Sequence, residues 1–102
     1  RLINDGLEVE APGAFARLLE GIPAAIAQKI TAAAKVPTVG IGAGPYCDGQ
    51  VLVMHDMLGI NTGHVPKFVK QYANIADVAR QGISDYVKEV SEGSFPDESH
   101  SY

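Results

Sequence analysis

Several residue types are scarce in this 102-residue chain, and each scarcity excludes a class of protein. There is no Trp and a single Cys, Cys47, which rules out a disulfide scaffold and any multi-cysteine metal site. Eight Lys and Arg against twelve Asp and Glu leave a net charge of −4 and no basic field for nucleic acid or anionic lipid. No apolar run approaches the ~20 residues of a membrane span, and no signal peptide is visible. We expect a soluble, cytoplasmic protein that binds neither nucleic acid nor membrane.

The length and the apolar content describe one domain at most. Domains run to roughly 100–150 residues, and 46% hydrophobic residues is ordinary for a globular chain that buries a core. The first residue is Arg1 rather than Met, so we expect that the natural N-terminus is missing or was removed.

Short apolar runs alternate with one helical segment in the first half of the chain. Ala14–Leu19, Val36–Ile41 and Gln50–Met54 are short and mainly apolar, which predicts strands. Between the first two runs, Pro23 opens a segment with isoleucines four residues apart, which predicts a helix with one apolar face. The order strand, helix, strand, glycine loop, strand is typical of parallel βαβ architecture.

Helical patterns dominate the rest of the chain. We predict the tail of a helix over Leu2–Ala11, a short helix over Pro66–Tyr72, a long helix over Ile75–Val90 that ends at Gly93, and a polar, solvated tail over Ser94–Tyr102. Three parallel strands with one intervening helix can neither cover both faces of a sheet nor close a barrel. The sequence therefore indicates part of something larger.

Glu20 is the most promising titratable residue. It follows the run Ala14–Leu19 directly, so it should lie at the carboxyl end of a strand. Ligands and catalytic side chains collect at that end in parallel α/β folds, where a carboxylate can act as a general base. A solvated loop glutamate is the alternative, and position alone does not decide between the two.

The segment Gly40–Gly44 follows a strand and could offer backbone N–H groups to a phosphate or carboxylate. Its glycines do not match the dinucleotide-binding spacing, and Pro45 stands where a helix should begin. A tight turn in which no side chain fits is the favoured interpretation.

The remaining polar candidates are weaker. His55 and Asp56 end the third run, and because neighbours on a strand point to opposite faces, at most one of them should enter a site. His64 and His100 have no partner in sequence. Cys47 has no base or second cysteine in range, which argues against a nucleophile or a metal ligand.

Several strings of residues occur in an order and at spacings that resemble one enzyme family. They are Leu19–Pro23, Val36–Gly44, Cys47–Asp56, Pro66–Lys70, Gly93–Pro96 and Glu98–Tyr102. Together they look like the C-terminal part of the ketopantoate hydroxymethyltransferases, and the resemblance covers the chain from about Leu2 to Tyr102.

This resemblance implies a fold and a reaction. The family is similar to the (β/α)8 TIM barrels of the phosphoenolpyruvate/pyruvate superfamily, so the three runs would be strands six to eight. Residues 1–65 would be barrel strands and loops, and residues 66–102 would be C-terminal helices and tail. Such enzymes transfer a hydroxymethyl group from 5,10-methylenetetrahydrofolate to α-ketoisovalerate, giving ketopantoate for pantothenate and coenzyme A synthesis, with Mg²⁺ holding the keto acid.

The resemblance also implies site residues. Glu20 would be the general base that removes the C3 proton of the keto acid, and Gly42 and Ala43 would border the barrel mouth and contact substrate. The Mg²⁺ ligands would lie upstream, so no metal ligand is expected in this chain. We expect the parent to be an active homo-oligomer and the isolated chain to be inactive.

Two other interpretations stay open. In one, the chain is a non-catalytic interaction or oligomerisation module, with helices in residues 66–92 docking on neighbouring subunits. In the other, a half-barrel binds phosphate at Gly40–Gly44, which only the loop glycines support. Further βα units upstream of Arg1 would favour the enzyme, and a natural start codon near Arg1 would favour the module.

Overall fold

The computed structural model describes Asp5 and residues 12–102. The predicted helix tail over Leu2–Ala11 lies, except for Asp5, outside these residues. In chain order the elements are β1 (Arg17–Glu20), α1 (Ala24–Ala33), β2 (Thr38–Ile41), β3 (Gly49–Gln50), α2 (Met54–Met57), α3 (Ile75–Glu92) and a 3₁₀ turn (Glu98–His100).

The chain forms two compact units. The first ends at Val53 and also takes in Pro66–Val69, whereas the second comprises Met54–Val65 and Lys70–Tyr102.

The first unit contains a parallel three-stranded sheet in the order β1-β2-β3. Arg17 pairs with Thr38, and Glu20 pairs with Ile41. The prediction of three parallel strands is confirmed. Helix α1 makes the crossover from β1 to β2, but only the loop 42–48 connects β2 to β3. That loop is shorter than the dozen or more residues that a parallel connection usually needs.

The strand boundaries differ from the predicted ones. β1 begins three residues later than Ala14 and includes Glu20. β3 ends at Gln50, although the Val51 N–H still donates to the Gly40 carbonyl at 3.0 Å. Helix α2 begins at Met54, so the prediction of a strand over Gln50–Met54 is wrong beyond Gln50. A short apolar run fits a strand or another buried conformation equally well, and periodicity alone does not separate them.

Helix α1 forms as predicted and buries one face. Pro23 is its N-cap, and Ala27 and Ile30 are buried. The Thr31 hydroxyl lies 2.8 Å from the Thr38 hydroxyl of β2, which is also buried. The spacing of the isoleucines therefore identified the face that packs against the sheet.

The two faces of the sheet have different environments. Paired residues of parallel strands point to the same face, so Arg17 and Thr38 lie on the side of α1, while Leu18, Val39 and Glu20 lie on the other side. Leu18 is 60% exposed. Among the described residues, this second face is a partly apolar surface left open to solvent.

Helix α3 dominates the second unit and confirms the predicted long helix. The Asn74 side chain caps its start by accepting the Asp77 N–H, and Gly93 ends it at a left-handed φ of 77°. None of its residues is buried. Its large apolar side chains are 40–74% exposed: Ile75, Val78, Ile83, Tyr86, Val87 and Val90.

The predicted helix over Pro66–Tyr72 does not form. The Val69 N–H closes a single turn onto the Pro66 carbonyl at 3.0 Å, and no helix follows. In the second unit the Tyr72 N–H donates to the Met57 carbonyl at 2.8 Å. The Met57 carbonyl, which is distant in sequence, thus accepts the N–H that in a helix would bond to the carbonyl four residues earlier.

The C-terminal tail is more ordered than the predicted solvated end. Asp97 accepts hydrogen bonds from the Ser99 hydroxyl at 2.7 Å and from His100 Nδ1 at 2.8 Å. The His100 ring lies 5.5 Å from the Phe95 ring, which meets Tyr86 of α3 edge-on at 5.8 Å. His100 therefore has a partner that sequence spacing did not reveal.

The tail turn should respond to acid. Hydrogen bonds from Ser99 and His100 hold the pKa of Asp97 below its ordinary value of 3.8. Because the folded pKa is the lower one, the stabilisation is complete above the ordinary value and is lost as the pH falls through the folded value. We expect the NMR signals of the Asp97 carboxyl and the His100 ring to change together below the ordinary pKa of an aspartate. Asp97→Asn should abolish the change in the His100 signals, whereas the control Asp85→Asn should leave it unchanged. A measured pKa of Asp97 at or above 3.8 would contradict the proposed stabilisation of its carboxylate.

Candidate active site

Glu20 lies where the sequence places it, at the carboxyl end of β1. It pairs with Ile41, the last residue of β2, so both strands end at the same edge of the sheet. Gly21 then turns the chain at a left-handed φ of 61°, and its N–H donates to the Ile41 carbonyl at 2.9 Å. The Glu20 side chain is exposed, which leaves its carboxylate accessible at the edge where parallel α/β proteins bind ligands.

The glycine loop after β2 is a tight turn without room for side chains, which confirms the favoured interpretation. Gly42 and Gly44 have left-handed φ values of 64° and 77°. A Cβ on Gly42 would lie 2.6 Å from Phe68 Cδ1, and one on Gly44 would collide with Ala24. Two glycines are needed because the loop must both reverse direction and pass close to its neighbours.

A cleft of about 410 Å³ lies beside this loop. Its lining residues are Gly42, Gly44, Pro45, Gln50 and Phe68. The Gln50 Nε2 donates to the Gly44 carbonyl at 2.9 Å, so the end of β3 holds the loop in place. This volume falls within the usual range for small-molecule sites.

The structure brings only some of the predicted site residues together. Glu20 and Gly42 are neighbours at the sheet edge through the pairing of Glu20 with Ile41, but Glu20 does not line the cleft. Ala43 has 0% exposure, so accessibility favours Gly42 over Ala43 as a contact for a ligand. The binding roles of both residues stay predictions.

Sequence reasoning missed Phe68 and Gln50 as cleft residues. Phe68 was assigned to a helix that does not form, and its contact with Gly42 has no local signal. Gln50 offered a local signal, since it is the polar residue at the start of the apolar run Gln50–Met54.

Asp48 anchors the loop at its other end. Its Oδ2 accepts the Thr38 N–H at 2.8 Å and the Thr38 hydroxyl at 3.3 Å. Cys47 is half-buried, and its Sγ packs so closely on Gly40 that a Cβ there would lie 2.9 Å away. Both side chains thus have structural contacts that fix the loop between β2 and β3.

His55 and Asp56 belong to the second unit and lie on helix α2 rather than at a strand end. The expectation that they point to opposite faces of a strand is therefore wrong. Asp56 Oδ1 accepts a hydrogen bond from Asn61 Nδ2 at 3.0 Å, which supports a structural role for that carboxylate.

Within Asp5 and residues 12–102, no three His, Cys, Asp or Glu side chains come together as a metal site. Over the same residues, no helix is both long and apolar enough to cross a bilayer.

The three parallel strands, with helix α1 between the first two, define an α/β protein, and Glu20 and the glycine loop lie at the carboxyl edge of its sheet. The family model for ketopantoate hydroxymethyltransferase matches residues 1–98. This chain belongs to that family.

Relatives in several bacteria are similar along the whole chain. A 3-methyl-2-oxobutanoate hydroxymethyltransferase of Clostridium beijerinckii is 57% identical over 102 residues, which are 100% of this chain and 37% of the relative. The protein of the same name from Geotalea daltonii is 56% identical over 102 residues, again 100% of this chain and 38% of the relative. That from Clostridium acetobutylicum is 54% identical over 101 residues, 99% of this chain and 37% of the relative. The chain thus spans well under half the length of these relatives.

Substituting Gly42 tests the tightness of the loop. Gly42→Ala should lower the free energy of unfolding by at least about 1–2 kcal/mol, because a Cβ disfavours the left-handed backbone and also displaces the Phe68 ring. Gly82→Ala is the matched control, since its Cβ would meet nothing within 4 Å in the exposed helix α3. That control should raise the stability by about 1 kcal/mol. Urea denaturation measures both, and equal changes in the same direction would contradict the assignment.

Proposed function

We propose that this chain is the part of a ketopantoate hydroxymethyltransferase that supplies the general base, Glu20, from strand six of a (β/α)8 barrel. In this proposal β1, β2 and β3 are barrel strands six, seven and eight, and the chain is the C-terminal part of the enzyme. The accessible Glu20 carboxylate at the carboxyl edge of a parallel sheet is the observation that carries the proposal.

The open sides of the sheet support a larger barrel. β1 and β3 are the outer strands of the described sheet, and the face bearing Leu18 and Glu20 is exposed. Further parallel strands would pair with both edges and enclose that face, which is the arrangement of a barrel interior. The relatives' greater length is sufficient for those strands.

The proposed reaction moves a hydroxymethyl group from 5,10-methylenetetrahydrofolate to α-ketoisovalerate, in the cytoplasm. The C3 hydrogen of the keto acid is acidic because the adjacent carbonyl delocalises the resulting charge. Glu20 takes that proton, and the electron pair left on C3 forms the new carbon–carbon bond to the one-carbon unit. In the net reaction, both bonds from that carbon to the folate nitrogens break, water supplies its hydroxyl group, and the two nitrogens take up the C3 proton and one proton of the water. An accessible carboxylate at a strand end can reach a substrate carbon without moving the backbone.

Mg²⁺ is the metal that the family implies. The described residues do not fit a Mg²⁺ site by themselves, because no cluster of three acidic or His side chains forms around Glu20 or elsewhere among them. We therefore assign the Mg²⁺ ligands to the rest of the enzyme and derive no step through the metal.

Replacing Glu20 in the full-length enzyme tests the proposal. Glu20→Gln should lower turnover by at least ~10², because the amide cannot accept the C3 proton, while keto-acid binding is kept. The rate at which the C3 proton exchanges with D₂O in the absence of the folate donor, measured by NMR, should fall as well. Glu92→Gln, at the end of α3, is the control. Unchanged turnover and exchange would remove Glu20 from the mechanism.

The exposed apolar face of α3 favours a second role, in oligomerisation, with or without catalysis by this chain. Its side chains repeat at i, i+3 and i+4 over the helix, as in a face that packs against another protein surface. The partner in this proposal is another subunit of the same enzyme.

Charge on this face should disrupt the assembly. Ile83→Lys places a cation on the face, and because Ile83 is 65% exposed, the subunit should still fold. Light scattering of the full-length protein should then show a smaller species than wild type. Lys88→Ala, on the opposite side of the helix, should leave the size unchanged. A monomeric wild-type protein would contradict the oligomer.

A further inference from the structure

The cleft beside the glycine loop presents a phenyl ring that packs against the loop backbone. Phe68 lies against Gly42 so closely that no Cβ could stand between them. The residue is nevertheless 41% exposed, and the ring lines the cleft. An aromatic ring that is already packed against the backbone and still accessible can stack on a flat ligand at a low cost in side-chain conformational entropy.

A carboxamide in the same cleft is also oriented. Gln50 Nε2 donates to the Gly44 carbonyl, which directs the remaining oxygen, Oε1, as a hydrogen-bond acceptor. Gln50 is exposed, so that acceptor is available to a ligand.

Among the described residues, those that line the cleft carry no charge. Pro45 and two glycines complete this described lining, and none of its five residues is acidic, basic or His. A phosphate or carboxylate would find no cation there, whereas a flat, neutral ring would find both a stacking surface and an acceptor for an N–H group.

We propose that this cleft binds an uncharged, planar heteroaromatic ring that stacks on Phe68 and donates a hydrogen bond to Gln50 Oε1. The inference rests on the proposed function, in which the folate donor carries such a ring and the keto acid does not. The cleft would then hold the donor at the sheet edge where Glu20 acts on the keto acid.

Phe68→Leu in the full-length enzyme removes the stacking surface and keeps an apolar side chain. We expect the KM for 5,10-methylenetetrahydrofolate to rise about fivefold to tenfold, which corresponds to the binding free energy that an aromatic pair usually contributes. The KM for the keto acid should be unchanged. Phe68→Tyr keeps the ring and should restore the wild-type KM. Tyr72→Leu is the matched control, since Tyr72 is an exposed aromatic residue that does not line the cleft.

A binding measurement separates this inference from the proposed function. Isothermal titration of the full-length protein with tetrahydrofolate should give a Kd that Phe68→Leu raises by the same factor and Tyr72→Leu does not change. A wild-type protein that binds tetrahydrofolate in this way but neither turns over nor exchanges the C3 proton would overturn the proposed function and support the cleft assignment. Equal affinity for wild type and Phe68→Leu, or an equal rise in both KM values, would overturn the cleft assignment alone.

Discussion

The short parallel connection between β2 and β3 is the constraint on which the rest of the first unit depends. Only the loop 42–48 brings the chain back beside β2, where a longer crossover is usual. Asp48 holds one end by accepting the Thr38 N–H, and Gln50 holds the other by donating to Gly44. The left-handed glycines, the cleft and the buried Thr38 all follow from making this return in so few residues.

The sheet edge that results carries the proposed general base and adjoins the proposed ring-binding cleft. Glu20 ends β1 beside Ile41, and the glycine loop begins directly after Ile41. The Glu20 carboxylate thus belongs to a strand end next to the loop, whereas the cleft is lined by the loop glycines together with Gln50 and Phe68 and not by Glu20. The proposed base and the proposed ring site therefore use different residues, as a reaction between two substrates requires.

Much of the fold could be predicted from the sequence because local patterns determine it. The isoleucines of α1, the apolar spacing of α3 and the position of Gly93 correctly gave the two longest helices. The parallel pairing of β1 with β2 followed from the helix α1 between them, whereas β2 and β3 are connected by a loop alone. Errors arose where non-local contacts decide, as in the absence of a helix over Pro66–Tyr72 and of a strand beyond Gln50.

The candidate site was predictable to a smaller extent. Glu20 could be placed at a strand end from the apolar run before it and the glycine after it. The role of Phe68 depends on its packing against Gly42, which is distant in sequence, and no periodic pattern records such a contact. The hydrogen bond of His100 with Asp97 was missed because it forms only in the folded 3₁₀ turn.

The exposure of helix α3 limits how stable the helix can be. With no buried side chain, it relies on its Asn74 cap, on the contact of Tyr86 with Phe95 and on surface pairs such as Arg80 with Asp77 at 2.8 Å. Such pairs contribute little, and most of the stability of a protein helix comes from packing its apolar face, so α3 gains little stability while that face is uncovered. Gly82 at its centre adds backbone freedom in the unfolded state. The helical content of this segment therefore depends on whatever surface covers it, and amide exchange along α3 would report how often that cover is in place.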